Sequence, residues 1–139
     1  MAALLAETRR WSRGTPYECR AAAAALCEPA LLKREEDVGD VLAILDAITA
    51  SLARSTDRGS EDVRTLRQGL AYCWSVAVAA APDLRRPFME RWMNDDDPDI
   101  RWVMRQNLSK KRLAAAGSDW VAAWQATWSG SRSRHRARA

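Results

Sequence analysis

The sequence predicts an all-α protein, built as a short right-handed α-solenoid of antiparallel helix pairs with about seven helices. No segment alternates polar and apolar residues with a period of two, whereas apolar residues recur at helical spacing through most of the 139 residues. Proline, glycine and serine divide the chain at short intervals, which indicates tight turns between neighbouring helices. Similar helix starts recur about every 40 residues, which indicates repeated helix pairs.

The first helix is predicted over residues 2–12. Thr15 followed by Pro16 is typical of an N-cap residue with proline in the first turn, so a second helix begins there. This helix runs to about Lys33, with a bend or break at Pro29 because proline disrupts a helix interior.

The third and fourth helices are predicted over 37–54 and from Ser60 to about Ala80. One face of the third carries a helical stripe of apolar residues: Val38, Val41, Leu42, Leu45, Ile48 and Leu52. The fourth has a wider stripe, which predicts a central position: Val63, Leu66, Leu70, Cys73, Ala77 and Ala80, with Val76 and Val78 beside it.

Three more helices complete the predicted chain. The fifth, over 83–94, carries an apolar stripe of Leu84, Phe88 and Trp92. The sixth covers 98–115, after a run of aspartates that we expect to cap it. Gly117 ends it, and Ser118 caps a last helix that bears Trp120, Trp124 and Trp128 on one face.

Three helix starts share an acid, an apolar residue and an arginine, with Arg20, Arg64 and Arg101 spaced by 44 and 37 residues. The stretch PFMERWMNDDDPDIRWVMRQNLSKKRL, at 87–113 within the segment 83–116, resembles a HEAT repeat, with an aspartate-rich turn followed by a second helix that opens with an apolar residue and arginine. The resemblance implies helix pairs at 2–33, 37–81 and 83–116 and a terminal helix at 117–129. It also implies that four residues are structural and tie neighbouring repeats together: Asp62, Arg64, Asp99 and Arg101.

Charge divides the chain into a single domain over 1–129 and a tail over 130–139. The tail, GSRSRHRARA, holds four of the 22 basic residues and no acid, which leaves 18 basic and 18 acidic residues in the domain. We expect the tail to be disordered, because its composition cannot bury a core. Arginine-rich tails also bind polyanions, so a nucleic-acid contact by the tail stays open.

The predicted helix 98–115 is strongly basic and offers a candidate binding surface on the inner side of the repeats. Arginine beside tryptophan can contact phosphates and stack on bases. The candidate binding residues on this and the preceding pair are Arg64, Arg67, Trp74, Arg101, Trp102, Arg105, Lys111 and Arg112. The alternative is that these cations favour a helix C-terminus and pair with the nearby aspartates.

The tryptophan stripe on the last helix also has two interpretations. Trp120, Trp124 and Trp128 either pack back onto helix 98–115 or form a partner surface, since tryptophan is favoured at interface hot spots. The run RWVMRQNLSKKRL is similar to the C-terminal repeats of bacterial alkylpurine DNA glycosylases, which are helical-repeat proteins with a basic inner groove. No catalytic residue of that family can be placed in this chain.

Enzymatic and metal chemistry are not expected. His135 is the only histidine, the glycines form no phosphate-binding loop, and there is no CxxC motif, so we predict no catalytic residues, metal site or cofactor. Cys19, Cys27 and Cys73 are expected to be inert core thiols. We therefore expect a bacterial cytoplasmic binding module or scaffold, without a membrane span, whose inner face binds an acidic or protein partner. A DNA- or RNA-binding protein related to HEAT-like alkylation repair proteins, and a protein that self-associates through the tryptophan helix, are the alternatives.

Overall fold

The computed structural model describes residues 2–138, apart from the side chains of Glu35 and of residues 131–138. Within these residues the chain forms seven α-helices and no strand, which confirms the predicted all-α class. The helices are α1 (Ala2–Trp11), α2 (Pro16–Leu26), α3 (Glu35–Arg54), α4 (Glu61–Ala79), α5 (Pro82–Met93), α6 (Pro98–Leu108) and α7 (Lys111–Arg138). Among the described helices, none combines the length and apolar character needed to cross a membrane.

The predicted start of α2 is confirmed, and the cap is more complete than the sequence suggested. The backbone N–H of Glu18 donates to Thr15 Oγ1 at 3.2 Å, and the Thr15 N–H donates to Glu18 Oε1 at 3.1 Å, which forms a reciprocal capping box. The helix ends at Leu26, before Pro29. The predicted continuation to Lys33 is instead a single 3₁₀ turn over Leu31–Lys33.

Helix α4 occupies the centre of the fold, as its wide stripe predicts. It packs extensively against α2 and against α6, and it also contacts α3, α5 and α7. Ten of its residues are buried, although Ala80, at the end of the predicted stripe, is exposed. The predicted stripe of α3 is buried from Val41 to Leu52, so both apolar patterns identify the core correctly.

Helix α5 is rotated relative to the prediction. Of the predicted stripe, Leu84 is 72% exposed and Phe88 is exposed as well, whereas Trp92 packs against the core while partly exposed. Arg85, Met89 and Met93 are buried. The reason is Arg85, which is 3% exposed and donates from Nη1 to the Ala77 carbonyl at 2.8 Å and from Nη2 to the Leu32 carbonyl at 3.0 Å. These carbonyls belong to the end of α4 and the 3₁₀ turn, so a charged side chain determines which face of α5 turns inward.

The predicted helix 98–115 is wrong in extent, because α6 ends at Leu108 and a turn separates it from α7. Backbone N–H groups of Ser109 and Lys110 bond to the Arg105 and Asn107 carbonyls, which closes the last turn of α6. Helix α7 then kinks at Gly117, where φ is −175° and ψ is 74°, close to the predicted break. The backbone of 130–138, in the predicted tail, belongs to α7, whereas the side chains from 131 onward lie outside the described residues.

Candidate binding face

The aspartates before α6 cap this helix and hold it to the rest of the fold. Asp97 Oδ1 accepts the backbone N–H groups of Asp99 at 2.9 Å and Ile100 at 3.2 Å, so the predicted capping role is confirmed. Asp97 and Asp99 also accept hydrogen bonds from Arg58, in the loop between α3 and α4, at 2.7–3.0 Å. These hydrogen bonds lower the pKa of the Asp97 carboxyl and raise that of the Arg58 guanidinium.

Arg58 is a residue that the sequence analysis missed. Besides the two aspartates, its guanidinium donates to the backbone carbonyls of Ser55 at 2.6 Å and Ala53 at 2.7 Å, at the C-terminal end of α3. One side chain thus joins the end of α3 to the start of α6. Nothing in the local sequence identifies this role, because Arg58 lies in a polar loop about 40 residues from its partners.

Several predicted binding residues are engaged within the molecule. Arg67 Nη1 lies 2.9 Å from Asp99 Oδ1, and its guanidinium lies 4.5 Å from the Trp102 ring centroid. Arg101 donates from Nε to the Asp95 carbonyl at 3.1 Å. The Arg105 guanidinium lies 5.8 Å from the Trp128 ring centroid, on the side of α6 that faces α7. The predicted cations therefore do not all converge on one wall.

Three other predicted binding residues are Trp74, Lys111 and Arg112. Trp74 is 0% exposed, and its Nε1–H donates to Thr49 Oγ1 at 3.0 Å, so it cannot extend a surface patch and that prediction is wrong. Lys111 is exposed at the start of α7. Arg112, the next residue, lies with its guanidinium 4.5 Å from the Tyr72 ring centroid on α4.

The residues implied as repeat ties behave differently from one another. Asp99 joins α6 to α4 through Arg67 and to the loop before α4 through Arg58. Arg101 remains within its own helix pair, near the turn that precedes α6. Asp62 accepts from the Ser60 hydroxyl at 2.6 Å, and this bond lowers its carboxyl pKa. Arg64 is exposed, so the Asp62 and Arg64 positions make local or solvent contacts.

A groove between α2 and α4 provides the clearest open surface beside these cations. Its volume is about 410 Å³, and its lining includes Arg20, Gln68, Tyr72 and Glu28. The Arg20 side chain crosses over Gly69, where an added Cβ would lie 2.9 Å from Arg20 Cγ, so the absence of a side chain there makes room for the arginine. Gln68 and Tyr72 are exposed on the same stripe of α4 as Arg64.

We call this surface the basic face and define it by five residues of α2, α4 and α7: Arg20, Arg64, Gln68, Tyr72 and Arg112. It carries three arginines, an exposed tyrosine and an amide. Glu28 is the acidic residue that lines the groove itself. Two acids at the start of α6, Asp97 and Asp99, are held by Arg58 and Arg67. The arrangement can therefore attract a negatively charged partner.

The tryptophan stripe on α7 packs toward the core. Trp128 is buried, and Trp120 and Trp124 pack against the core while remaining partly exposed. Trp120 Nε1–H donates to Glu90 Oε1 on α5 at 3.0 Å, and Arg86 lies over its ring at 5.2 Å. The interior position of Trp128 agrees with the inward-packing interpretation and removes this residue from any partner surface.

The three cysteines are free thiols in buried positions. Burial raises the pKa of the Cys19 thiol. The hydrogen-bonded thiol of Cys73, together with burial, raises the pKa of Cys27 well above its usual value. The buried positions of all three agree with the predicted place of these thiols in the core. Among the described side chains, no group of three or more potential metal ligands is close enough to hold an ion.

Comparison with known proteins does not assign this chain to a family. Neither models of protein families, nor curated proteins, nor solved structures gave a match to this chain.

Proposed function

We propose that the chain is a non-enzymatic binding module that uses the basic face to hold an acidic segment of a partner protein. The observation that carries the proposal is the juxtaposition of Arg20, Arg64 and Arg112 with the exposed Tyr72 beside an open groove. Arginine and tyrosine are the residue types favoured at protein interfaces, because both combine apolar area with directed polar groups.

The packing order supports a solenoid of HEAT-like pairs as the scaffold for this face. If α1–α2, α3–α4 and α5–α6 are the pairs, their second helices α2, α4 and α6 form one row with α4 in the middle. Such a row presents one continuous surface to a ligand, and its curvature arises from small rotations between repeats. Asp99, which contacts both its own helix start and Arg67 of the preceding pair, is the tie expected between stacked repeats.

An acidic protein segment fits better than a nucleic acid on the described surface. Phosphate tracking requires several cations that converge along a groove. Here Arg67 and Arg101 are engaged with carboxyl or carbonyl oxygens of the chain itself. The remaining cations on the basic face suit a few carboxylates rather than a long phosphate backbone.

The test is fluorescence anisotropy with the full chain and two labelled probes, an oligoglutamate peptide and a mixed-sequence single-stranded DNA. Each probe is titrated at low and at moderate salt. We expect saturable peptide binding that weakens with salt, and a weakening of about tenfold or more in Arg20→Glu/Arg64→Glu, equivalent to about 1.4 kcal/mol.

Two control variants locate the effect. Arg10→Glu/Arg13→Glu makes the same change in net charge at the end of α1, where both side chains are exposed, and should keep its affinity. Replacement of the four tail arginines by glutamine separates the tail from the basic face. Tighter binding of DNA with a steep salt dependence at Arg20 and Arg64 would replace the protein partner with a nucleic acid. Loss of binding only in the tail variant, or equal loss in both double variants, would overturn the proposal.

A further inference from the structure

The groove between α2 and α4 has an apolar floor as well as a charged edge. Cys27 and Cys73 line it with exposed fractions of only 5% and 3%, so they lie at its base. Ala24 of α2 and Pro29, which follows α2, also line the groove, and both are exposed. A buried free cysteine behaves as a small apolar residue. This part of the groove therefore presents a concave apolar surface to solvent.

The arginines of the basic face lie toward one end of this groove. Arg20 of α2 crosses over Gly69 of α4. Along α4, Arg64 lies five residues before Gly69, whereas Cys73 lies four residues after it. Along α2, Arg20 and Cys27 are seven residues apart, which corresponds to about 10 Å of helix. The arginines and the apolar floor are therefore neighbouring but separate parts of one surface.

Glu28 restricts what can occupy the apolar end. It follows Cys27 in the chain, lines the same groove and is exposed. A ligand carboxylate placed beside it would be repelled, because like charges brought together at an interface interact unfavourably. An uncharged apolar side chain avoids this repulsion, and its contact with the floor removes apolar area on both molecules from water.

We propose that the acidic segment held by the basic face carries a large apolar residue, such as leucine, next to its carboxylates, and that this residue docks on the groove floor. The inference rests on the proposed function, since it specifies the ligand of the same face. Charge complementarity directs the carboxylates to Arg20 and Arg64, and the apolar side chain then packs over Ala24 and the two cysteines. The groove volume of about 410 Å³ is within the range of sites that hold small ligands, so it has room for one leucine side chain. An apolar anchor surrounded by polar contacts is also the usual arrangement of an interface hot spot.

The test compares two labelled peptides on the full chain by fluorescence anisotropy. Both contain a run of three glutamates, which is flanked on each side by leucine in one peptide and by alanine in the other. Flanking residues on both sides make the result independent of the direction in which the peptide lies. We expect the leucine peptide to bind about tenfold more tightly, as when one leucine side chain loses much of its contact with water.

A variant that fills the floor separates the apolar contact from the charge. Ala24→Phe changes no charge, so it should remove most of the preference for leucine and keep the affinity for the alanine peptide within about twofold. Ala43→Phe is the matched control, because Ala43 is exposed on α3 and does not line the groove, and it should retain the preference. Arg20→Glu/Arg64→Glu should weaken the binding of both peptides.

The outcomes distinguish this inference from the proposed function. Equal affinity of the unaltered chain for the two peptides, with both weakened in Arg20→Glu/Arg64→Glu, would overturn the apolar anchor and leave the proposed function in place; this comparison does not depend on the folding of Ala24→Phe. A leucine preference that survives in Ala24→Phe, or that is lost equally in Ala43→Phe, would also overturn the anchor. Failure of the unaltered chain to bind either peptide would overturn the proposed function together with the inference.

Discussion

Arg58 is predicted to be a major determinant of stability although it lies in a loop. Replacement by alanine removes its hydrogen bonds to Asp97, Asp99 and the two carbonyls at the end of α3. The side chain is 30% exposed, so solvent weakens each interaction but does not cancel it. Hydrogen bonds to charged groups contribute about 1.5–3 kcal/mol each when well shielded. Because the bonds share one guanidinium and are partly solvated, we expect Arg58→Ala to lower the free energy of unfolding by about 2–3 kcal/mol.

The assay is urea unfolding followed by far-ultraviolet circular dichroism, with Arg10→Ala as the matched control. Arg10 also forms an ion pair, with Glu7, but its side chain is 73% exposed, so its removal should cost less than about 0.5 kcal/mol. Arg58→Lys should recover only part of the loss, since an ammonium group cannot reproduce the forked geometry. Equal costs for Arg58→Ala and Arg10→Ala would refute the role of Arg58 as the tie between α3 and α6.

Three other predictions address the core, the pH dependence and the polar interior. In urea unfolding, Met89→Ala should lower the free energy of unfolding by about 2–5 kcal/mol, because Met89 is buried. Leu84→Ala, on the exposed side of α5, should change it by less than about 0.5 kcal/mol. The reverse order would contradict the observed rotation of α5. The lowered pKa of Asp97 contributes stability that is present above the usual aspartate pKa and is lost as pH falls through the lowered value. The free energy of unfolding, measured at a series of decreasing pH values, should therefore fall, and it should fall less in Arg58→Ala. Asn107→Leu should lower the free energy of unfolding by about 2–4 kcal/mol, because the Asn107 amide accepts from the Ser75 N–H at 2.8 Å and donates to the Leu70 carbonyl at 2.9 Å. A thermal unfolding midpoint equal to that of the unaltered chain would show the assignment to be wrong.

Apolar periodicity predicted the buried face correctly in the helices whose buried side chains are mainly hydrophobic. The stripes of α3 and α4 identify the core because each of these helices presents leucine, isoleucine and valine at helical spacing to several neighbours. The same reasoning failed for α5, because Arg85 is buried there and donates hydrogen bonds to two backbone carbonyls. Hydropathy counts arginine as a surface residue, so this pattern cannot reveal an interior guanidinium with backbone partners.

The candidate site was predicted only in part, for a related reason. Charge runs showed where cations are dense in the sequence, but not which carboxylate each of them meets after folding. Arg67 and Asp99 are 32 residues apart, and the pairing between them depends on how α4 and α6 pack. Arg20 and Tyr72 become neighbours across a groove for the same reason. Long-range contacts of this kind have no signature in local composition.

Acidic-ligand binding at the basic face is tested most directly by a nuclear magnetic resonance footprint of the oligoglutamate peptide on the full, isotope-labelled chain. We expect shift changes, saturating together with the anisotropy signal, at Arg20, Arg64, Gln68 and Tyr72 and at the start of α7. The exposed residues of α1 and α5 should remain unchanged. A footprint centred on α5, or confined to the arginine-rich tail, would contradict the assignment of this face as the binding surface.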